Sequence, residues 1–541
     1  MIRDARLSRG DERLEADVCV VGAGPAGITL THALIRSGLK VVLLEAGPID
    51  PDLENQRMAE GDTVGLPYTL QEARARAFGG TAHFWNIDMG GGSPGLRLRR
   101  LDESDFRPRE WIPHSGWPFE LEEFVPYYER AEASFGIDGQ TYALPDDYTN
   151  LGPLIDGDSE FESTVFRLGR ASSILEQRKS MADSDSVDVV IGAVGVHLER
   201  DRKDDISRIR AMSLTGNDFS IEASFYVLAA GAVENARLLL LNGLDSQQSE
   251  NGEQGLVGRF FMEHPHTRAG FIIPASDSPS PLAGGIRDIG GAPGELWFRL
   301  ADDAAASYRV GNIVFALTPV TASEMRRAIG SAPQTPAVRA ARDIVSHFSG
   351  KSSKEIDIAQ SVKTVFRSPA DIVGAAFRKG SWAVKERRRR GPTDNGVVYR
   401  VDVMAEQFPN RESKVSISDS LDPIGLRRVK VNWNIARTDK NSWIRAYDIF
   451  SKQVNRSGFG EFVSNPDPNR VPISGGYHHM GTTRMHHDET KGVVDPNGRV
   501  HGTSNLYACG SSVFPTSGVS NPTLTIVALS FRLGDHLAAR L

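Results

Sequence analysis

Four imidazoles fall within ten positions near the end of the chain, at His478, His479, His486 and His487. With a reference pKa near 6.5, a histidine is largely neutral at pH 7 and can take a hydroxyl proton as a general base. A metal site is the competing chemistry. Adjacent histidines seldom converge on one ion, the spacing is neither a helical i, i+4 pair nor a finger spacing, and no cysteine set stands beside them, so no metal is assigned. The other chemical signal lies at the opposite end. Gly22, Gly24 and Gly27 spell GxGxxG directly after the apolar run Asp17 to Val21. In such a turn the first glycine permits the bend, the second admits a pyrophosphate to the backbone, and the third lets helix press on strand.

The elements that must hold these residues are legible around them. Strand, glycine turn and helix are followed by Gly38, which stops the helix, and by a second strand, Lys40 to Leu44, ending in Glu45. A carboxylate there, 18 residues past Gly27, can take the hydroxyls of an adenosine ribose. This βαβ unit predicts a dinucleotide on the positive end of a helix. No second GxGxxG occurs, so one dinucleotide is expected rather than a flavin and a nicotinamide together. Near Val187 the strand pattern resumes, and VLAAGAVENARLLL leads from strand to helix with Gly231 bringing backbone to the cofactor. The pair Gly79 and Gly80, set among aromatics, also signals backbone held against something large and flat. At the C-terminus, NLYACGSS reads as a last buried strand, and Asn521 with Pro522 as the N-cap and first residue of a final helix.

Between these parts the text changes. Polar, proline-marked sequence from Pro48 to Leu70 reads as a connection, and Leu121 onward as an amphipathic helix in which Tyr127 and Tyr128 pack. GELWFRL and YRVGNIVFALTPV read as strands, Ser323 to Arg390 as helical, and the text from Asp394 as strands again. The basic run Lys385 to Arg390 is a solvated helix end. The fold class is therefore α/β, with a Rossmann-like dinucleotide-binding domain and a second, substrate-binding α+β domain on a mainly antiparallel sheet. The expected boundaries are 15–100, 187–268 and 471–541 for the first, and 101–186 and 269–470 for the second.

Composition limits the function. The chain has 541 residues, of which 40% are hydrophobic and 24% charged, with a net charge of −7 that opposes nucleic-acid binding. Its two cysteines, Cys19 and Cys509, sit in apolar runs and build no disulfide framework. No run approaches the roughly 20 apolar residues that span a bilayer, so no membrane partner is expected, and the polar start predicts a cytoplasmic protein.

Taken together, GGTAHFW, VLAAGAVENARLLL, GRFFMEHP, YHHMGTTRM and SSVFPTSGVSNPTLTI resemble the glucose-methanol-choline family of flavin oxidoreductases, along nearly the whole chain. The nearest branch holds pyranose oxidases, C-glycoside oxidases and fructose dehydrogenase large subunits. The resemblance implies FAD as cofactor, His478 as the catalytic base and Asn521 as its partner, with His479 structural. It places cofactor contacts on Gly22, Gly24, Gly27, Glu45, Gly79 and Gly80, then on Ala230 and Gly231, and finally on Gly510, Ser511, Pro522 and Thr523. Some relatives attach the flavin through a histidine at the position of Phe84; here His83 is one place early, so non-covalent FAD is implied. The implied substrate is a secondary hydroxyl, at the 2- or 3-position, of a pyranose sugar or glycoside, oxidised to a ketone. The electron acceptor is molecular oxygen or a quinone, and nothing in the sequence opposes a homo-oligomer. The alternatives are a dehydrogenase of another alcohol or sugar acid with a quinone or cytochrome acceptor, and a non-redox lyase on the same fold.

Overall fold

The computed structural model describes residues 2–8, 12–89, 94–145, 154, 159–245, 255–276, 283–330, 396–464 and 472–541. The basic run and the helical text beyond residue 330 lie outside the described residues.

β-Branched, fully buried runs build the first sheet. Its strand order is Ile2–Asp4, Val187–Ile191, Val41–Glu45, Glu12–Val21, Asp218–Leu228, Ile206–Ser213 and Ala193–Arg200, with Leu506–Ala508 beside the end of Asp218–Leu228. The first five strands and Leu506–Ala508 run parallel; the last two are antiparallel. Val20 lies opposite Leu43 and Val227, and Val227 opposite Tyr507, so the two chain ends meet in neighbouring rows. Strands with both faces covered need apolar residues throughout, which is why VCVV, VVLL and FYVL carry no alternation. The parallel strands end together at Val21, Glu45, Leu228 and Ala508, and ligands of such sheets sit at that carboxyl edge.

Over this sheet the helix Pro25–Arg36 packs on the C-terminal helix Thr523–Ala538. The contact is close enough that a Cβ on Gly534 would stand 2.9 Å from the Ala33 Cβ. Cys19 and Cys509 are both buried and unbonded to each other.

The second sheet is antiparallel at every pairing, in the order Gly460–Ser464, Pro265–Pro274, Val397–Ala405, Ile313–Thr321, Pro293–Leu300, Phe161–Arg170, Pro94–Leu98 and Ile87–Asp88. The long helix Arg437–Arg456 covers it, with the rings of Phe315 and Phe450 stacked 4.4 Å apart. Pro94–Leu98 belongs to this sheet, whereas Ile2–Asp4 joins the parallel one.

Two readings of the sequence are corrected here. The supposed connection between Pro48 and Leu70 contains the strand Gly61–Gly65, paired in parallel with Arg427–Trp433 in a three-stranded sheet. Its glycines and aspartate are poor strand formers, so only the distant partner makes it a strand. The final helix starts at Thr523: the Pro522 carbonyl accepts from Ile526 N, and the Asn521 side chain caps nothing. No described helix is long and apolar enough to cross a membrane.

Candidate active site

One cavity of about 400 Å³ lies along the carboxyl edge of the parallel sheet and opens toward the antiparallel one. Its walls gather residues from both ends of the chain. Gly22, Gly24, Glu45, Gly80, Ala230, Gly231, Gly510, Ser511, Pro522 and Thr523 line it, together with His478 and Asn521. Gly27 and Gly79 lie behind that lining. A Cβ on Gly27 would stand 1.8 Å from the Gly22 carbonyl oxygen, so this residue packs helix on turn. Gly79, at φ 126°, donates its N–H to the Ala23 carbonyl at 2.8 Å and fixes the loop over the turn.

Two features test whether a dinucleotide fits. Three helices begin on the cavity, Pro25–Arg36, Gly231–Leu241 and Thr523–Ala538, and none has a side-chain cap, so their first N–H groups stay available to an anion. The glycine backbones also leave room. At Gly231, φ is 83° and a Cβ would meet no atom within 4 Å, while at Gly80, φ is 53° and a Cβ would stand 2.8 Å from the Gly24 Cα. Glu45 is buried on the same wall and accepts from Ala23 N at 2.9 Å and Gly47 N at 2.8 Å. Burial pushes its carboxyl up to about 7, against those hydrogen bonds and Arg76. The residues present fit a bound FAD.

Backbone hydrogen bonds between residues 479–485 and 510–513 bring His478 to the start of the last helix. Gly481 N donates to Ser511 O at 3.0 Å and Met485 N to Val513 O at 2.8 Å, and the Ser511 hydroxyl donates to the His479 carbonyl at 2.6 Å. Asn235 ties in the neighbouring strand end: its amide donates to Leu228 O at 3.0 Å and Ser512 Oγ at 2.9 Å, and its oxygen accepts from Ala230 N. As a result Asn521 Nδ2 lies 3.1 Å from His478 Nε2.

Beneath the histidine loop sits a carboxylate that sequence reasoning missed. Glu263 is fully buried, and its Oε2 accepts from the backbone N–H groups of His264, Gly476 and His478, at 3.1, 3.1 and 3.0 Å. Its other oxygen accepts from the Tyr68 hydroxyl. Because the N–H groups on either side of Tyr477 converge on one oxygen, the chain between them turns sharply. Tyr477 is held at φ 59°, a conformation that costs a β-carbon residue about 1–2 kcal/mol. Burial pushes Glu263 up to about 7, opposed by the bonds from Tyr68 and the backbone.

The site holds four histidines, and two of them come from GRFFMEHPH rather than from the C-terminal cluster. His264 Nδ1 stands 3.0 Å from His478 Nδ1, and a Cβ on Gly476 would stand 2.9 Å from His266 Nε2 and 2.8 Å from His478 Nδ1. Burial lowers all four: His264 and His266 to about 4, His479 to about 3, and His478 well below its ordinary value, with His264, His266, His479 and Arg97 adding repulsion at His478. His478 is therefore neutral at neutral pH. His486 and His487 lie off the cavity lining; His486 Nδ1 accepts from Asp488 N at 2.9 Å. Tyr128 is buried, with its hydroxyl 2.9 Å from Thr525 Oγ1, and packs as the sequence implied. The missed residues carried one signal, an acid and two histidines interrupting an apolar run. Arg97 also lines the cavity, paired with Glu295 at 2.7 and 2.9 Å. Phe84 lines it too, while His83 turns back to the Phe78 carbonyl at 3.1 Å.

A dinucleotide cradle that opens onto a neutral histidine and an amide suits flavin-dependent oxidation of CH–OH groups. Residues 409–530 match the family described as GMC oxidoreductase, and residues 15–54 the family described as FAD binding domain. The chain thus carries a GMC oxidoreductase C-terminal domain behind an FAD-binding domain, and its cofactor is FAD. A paromamine 6'-oxidase of Streptomyces fradiae is 22% identical over 100% of this chain and 94% of its own length. A fructose dehydrogenase large subunit of Gluconobacter japonicus is 22% identical over 97% of this chain and 98% of its own. The solved structure of a pyridoxine 4-oxidase from Mesorbium loti shares the fold, with a TM-score of 0.54 and 15% identity over 96% of this chain and 98% of that one.

Proposed function

We propose that this protein oxidises a secondary hydroxyl of a pyranose sugar or glycoside, at the 2- or 3-position, to a ketone. The observation that carries the reading is the neutral His478 Nε2, 3.1 Å from the Asn521 amide on the wall of the nucleotide cavity. FAD, held non-covalently, supplies a two-electron hydride acceptor. His478 Nε2 takes the hydroxyl proton as the carbon gives up its hydride, so proton and hydride leave together and a carbonyl remains. The Asn521 amide, which donates to Nε2 at 3.1 Å, yields that lone pair to the hydroxyl and orients the same oxygen. The free N–H groups at the start of Thr523–Ala538 favour negative charge beside them. Gly22, Gly24, Gly80, Gly231, Gly510 and Ser511 line the backbone cradle, and Glu45 takes the ribose. Residues 15–100, 187–268 and 471–541 form the cofactor domain in this reading, and most of the remainder shapes the sugar site.

The sugar assignment is supported by the paromamine and fructose enzymes among the relatives, and the ring position by the resemblance to C-glycoside oxidases, one of which, a C-glycoside 3-oxidase, is 28% identical over 27% of this chain. The test is anaerobic mixing of the FAD-loaded protein with sugars, glycosides and amino sugars, followed at the flavin absorbance, then admission of air. Bleaching by a pyranoside whose product is a 2- or 3-ketone is expected, with recovery in air if oxygen is the acceptor and with a quinone otherwise. A product oxidised at the 6-position overturns the ring assignment. A flavin that stays yellow while substrate is cleaved makes the protein a lyase. His478→Ala should slow reduction by about 10²- to 10⁴-fold with FAD retained.

A further inference from the structure

A neutral imidazole can serve as a base at Nε2 only if its proton sits on Nδ1, and in water the two tautomers lie close in energy. The surroundings of His478 decide between them. Its Nδ1 faces His264 Nδ1 at 3.0 Å, and the far nitrogen of His264, Nε2, faces the Ser517 carbonyl oxygen at 3.3 Å. A carbonyl oxygen can only accept, so His264 carries its proton on Nε2. His264 is fully buried, no carboxylate among the described residues is bonded to its ring, and burial lowers it to about 4, so one proton is all it holds. Its Nδ1 is left with a lone pair, and two facing lone pairs would repel, so the proton between the rings belongs to His478 Nδ1. At the other end of the series, Asn521 donates an amide N–H to His478 Nε2. The carbonyl at one end and the amide at the other fix the same direction of donation, from Asn521 through His478 and His264 to Ser517.

We propose that His264 is a positioning residue that accepts from His478 Nδ1 and so keeps Nε2 of that histidine unprotonated toward the cavity. The inference rests on the reading of His478 as the base. It also sets where the proton can go. Once His478 has taken a hydroxyl proton, its Nδ1–H still points at His264, whose own proton is held against a carbonyl that cannot receive it. The series ends there, and the proton leaves His478 only from Nε2, back through the cavity. The other groups around the ring do not compete for Nδ1: His266 and His479 are neutral, Arg97 is paired with Glu295, and Glu263 is engaged by three backbone N–H groups and Tyr68.

The experiment compares His264→Leu, His264→Asn and His478→Ala with the parent, all FAD-loaded. Flavin reduction by a bleaching substrate is measured across pH, together with ¹⁵N NMR of histidine-labelled parent protein, in which the His478 signals are those missing from His478→Ala. Leucine removes the acceptor and should slow reduction by about 10- to 100-fold without weakening substrate binding. Asparagine, whose side-chain oxygen can occupy the place of Nδ1, should restore the rate to within about threefold of the parent. The parent spectrum should show His478 protonated at Nδ1 and bare at Nε2. If His264→Leu reduces as fast as the parent while His478→Ala is slow, or if asparagine fails to rescue, the inference falls and the base assignment stands. If His478→Ala is itself fast, the assignment beneath it falls. Should His264→Leu not fold, a parent spectrum with the proton on Nε2 overturns the inference by itself.

Discussion

Replacing Asn521 by aspartate changes little in size and puts a negative charge where the structure has a neutral amide, 3.1 Å from His478 Nε2. In the parent, burial and the neighbouring His264, His266, His479 and Arg97 keep His478 uncharged well below its ordinary range. Flavin reduction should then be flat across neutral pH, with any acid limb far below it. Unit charges about 4 Å apart at an effective dielectric near 20 attract by about 4 kcal/mol, equivalent to about three pH units. Desolvation of the new carboxylate offsets part of this, leaving a rise of about one to three units for His478. The acid limb of Asn521→Asp should therefore lie about one to three pH units above the parent's, with the rate recovering once pH exceeds it. Asn521→Ala loses one neutral hydrogen bond, about 1 kcal/mol, and should slow reduction by about fivefold without moving the limb. Anaerobic stopped-flow reduction of the three proteins makes the comparison. An Asn521→Asp profile that superimposes on the parent's, with FAD bound, refutes the view that this amide borders the titrating nitrogen.

Gly27→Ala places a methyl group 1.8 Å from a backbone oxygen and should abolish folding or lower thermal stability by many degrees. Gly231→Ala meets open space at φ 83°, so it should cost the apoprotein only about 1–2 kcal/mol while its methyl group intrudes on the cofactor; FAD content after gel filtration and apoprotein melting separate the two effects. Arg109 is bonded to Glu406 in a fully buried pair beside Asp105, so Arg109→Met should cost about 3–5 kcal/mol in urea unfolding, and the double variant with Glu406→Met much less. Burial, then Arg74, holds His479 down to about 3 against 6.5 for the free side chain, so its contribution to stability is complete above about pH 6.5 and is lost as pH falls toward 3. Between pH 7 and pH 5 that loss is about 2 kcal/mol, and urea midpoints of His479→Phe should close on the parent's by this amount.

The glycine turn, the strand ending in Glu45, the helix at Leu121 and the final buried strand were legible because each is written in consecutive residues. Strand Gly61–Gly65 was not, since its partner Arg427–Trp433 lies more than 360 residues away and its own residues disfavour a strand. Asn521 has the composition of a cap, yet the fold gives its side chain to His478 instead. Glu263 and His264 were hidden for the same reason. Each acts on atoms more than 200 positions distant, and a single sequence shows a buried acid or imidazole only as an oddity in an apolar run.

The pairing of Leu506–Ala508 with Asp218–Leu228 also bears on how the protein comes off the ribosome. At roughly 5–20 residues per second, half a minute to a minute and a half separates synthesis of the glycine turn from that of its C-terminal neighbours. Through that interval the nascent chain displays an open nucleotide groove with no roof and an unpaired edge on a hydrophobic sheet. The nucleotide cavity is therefore complete only after the C-terminal residues that line it have been made.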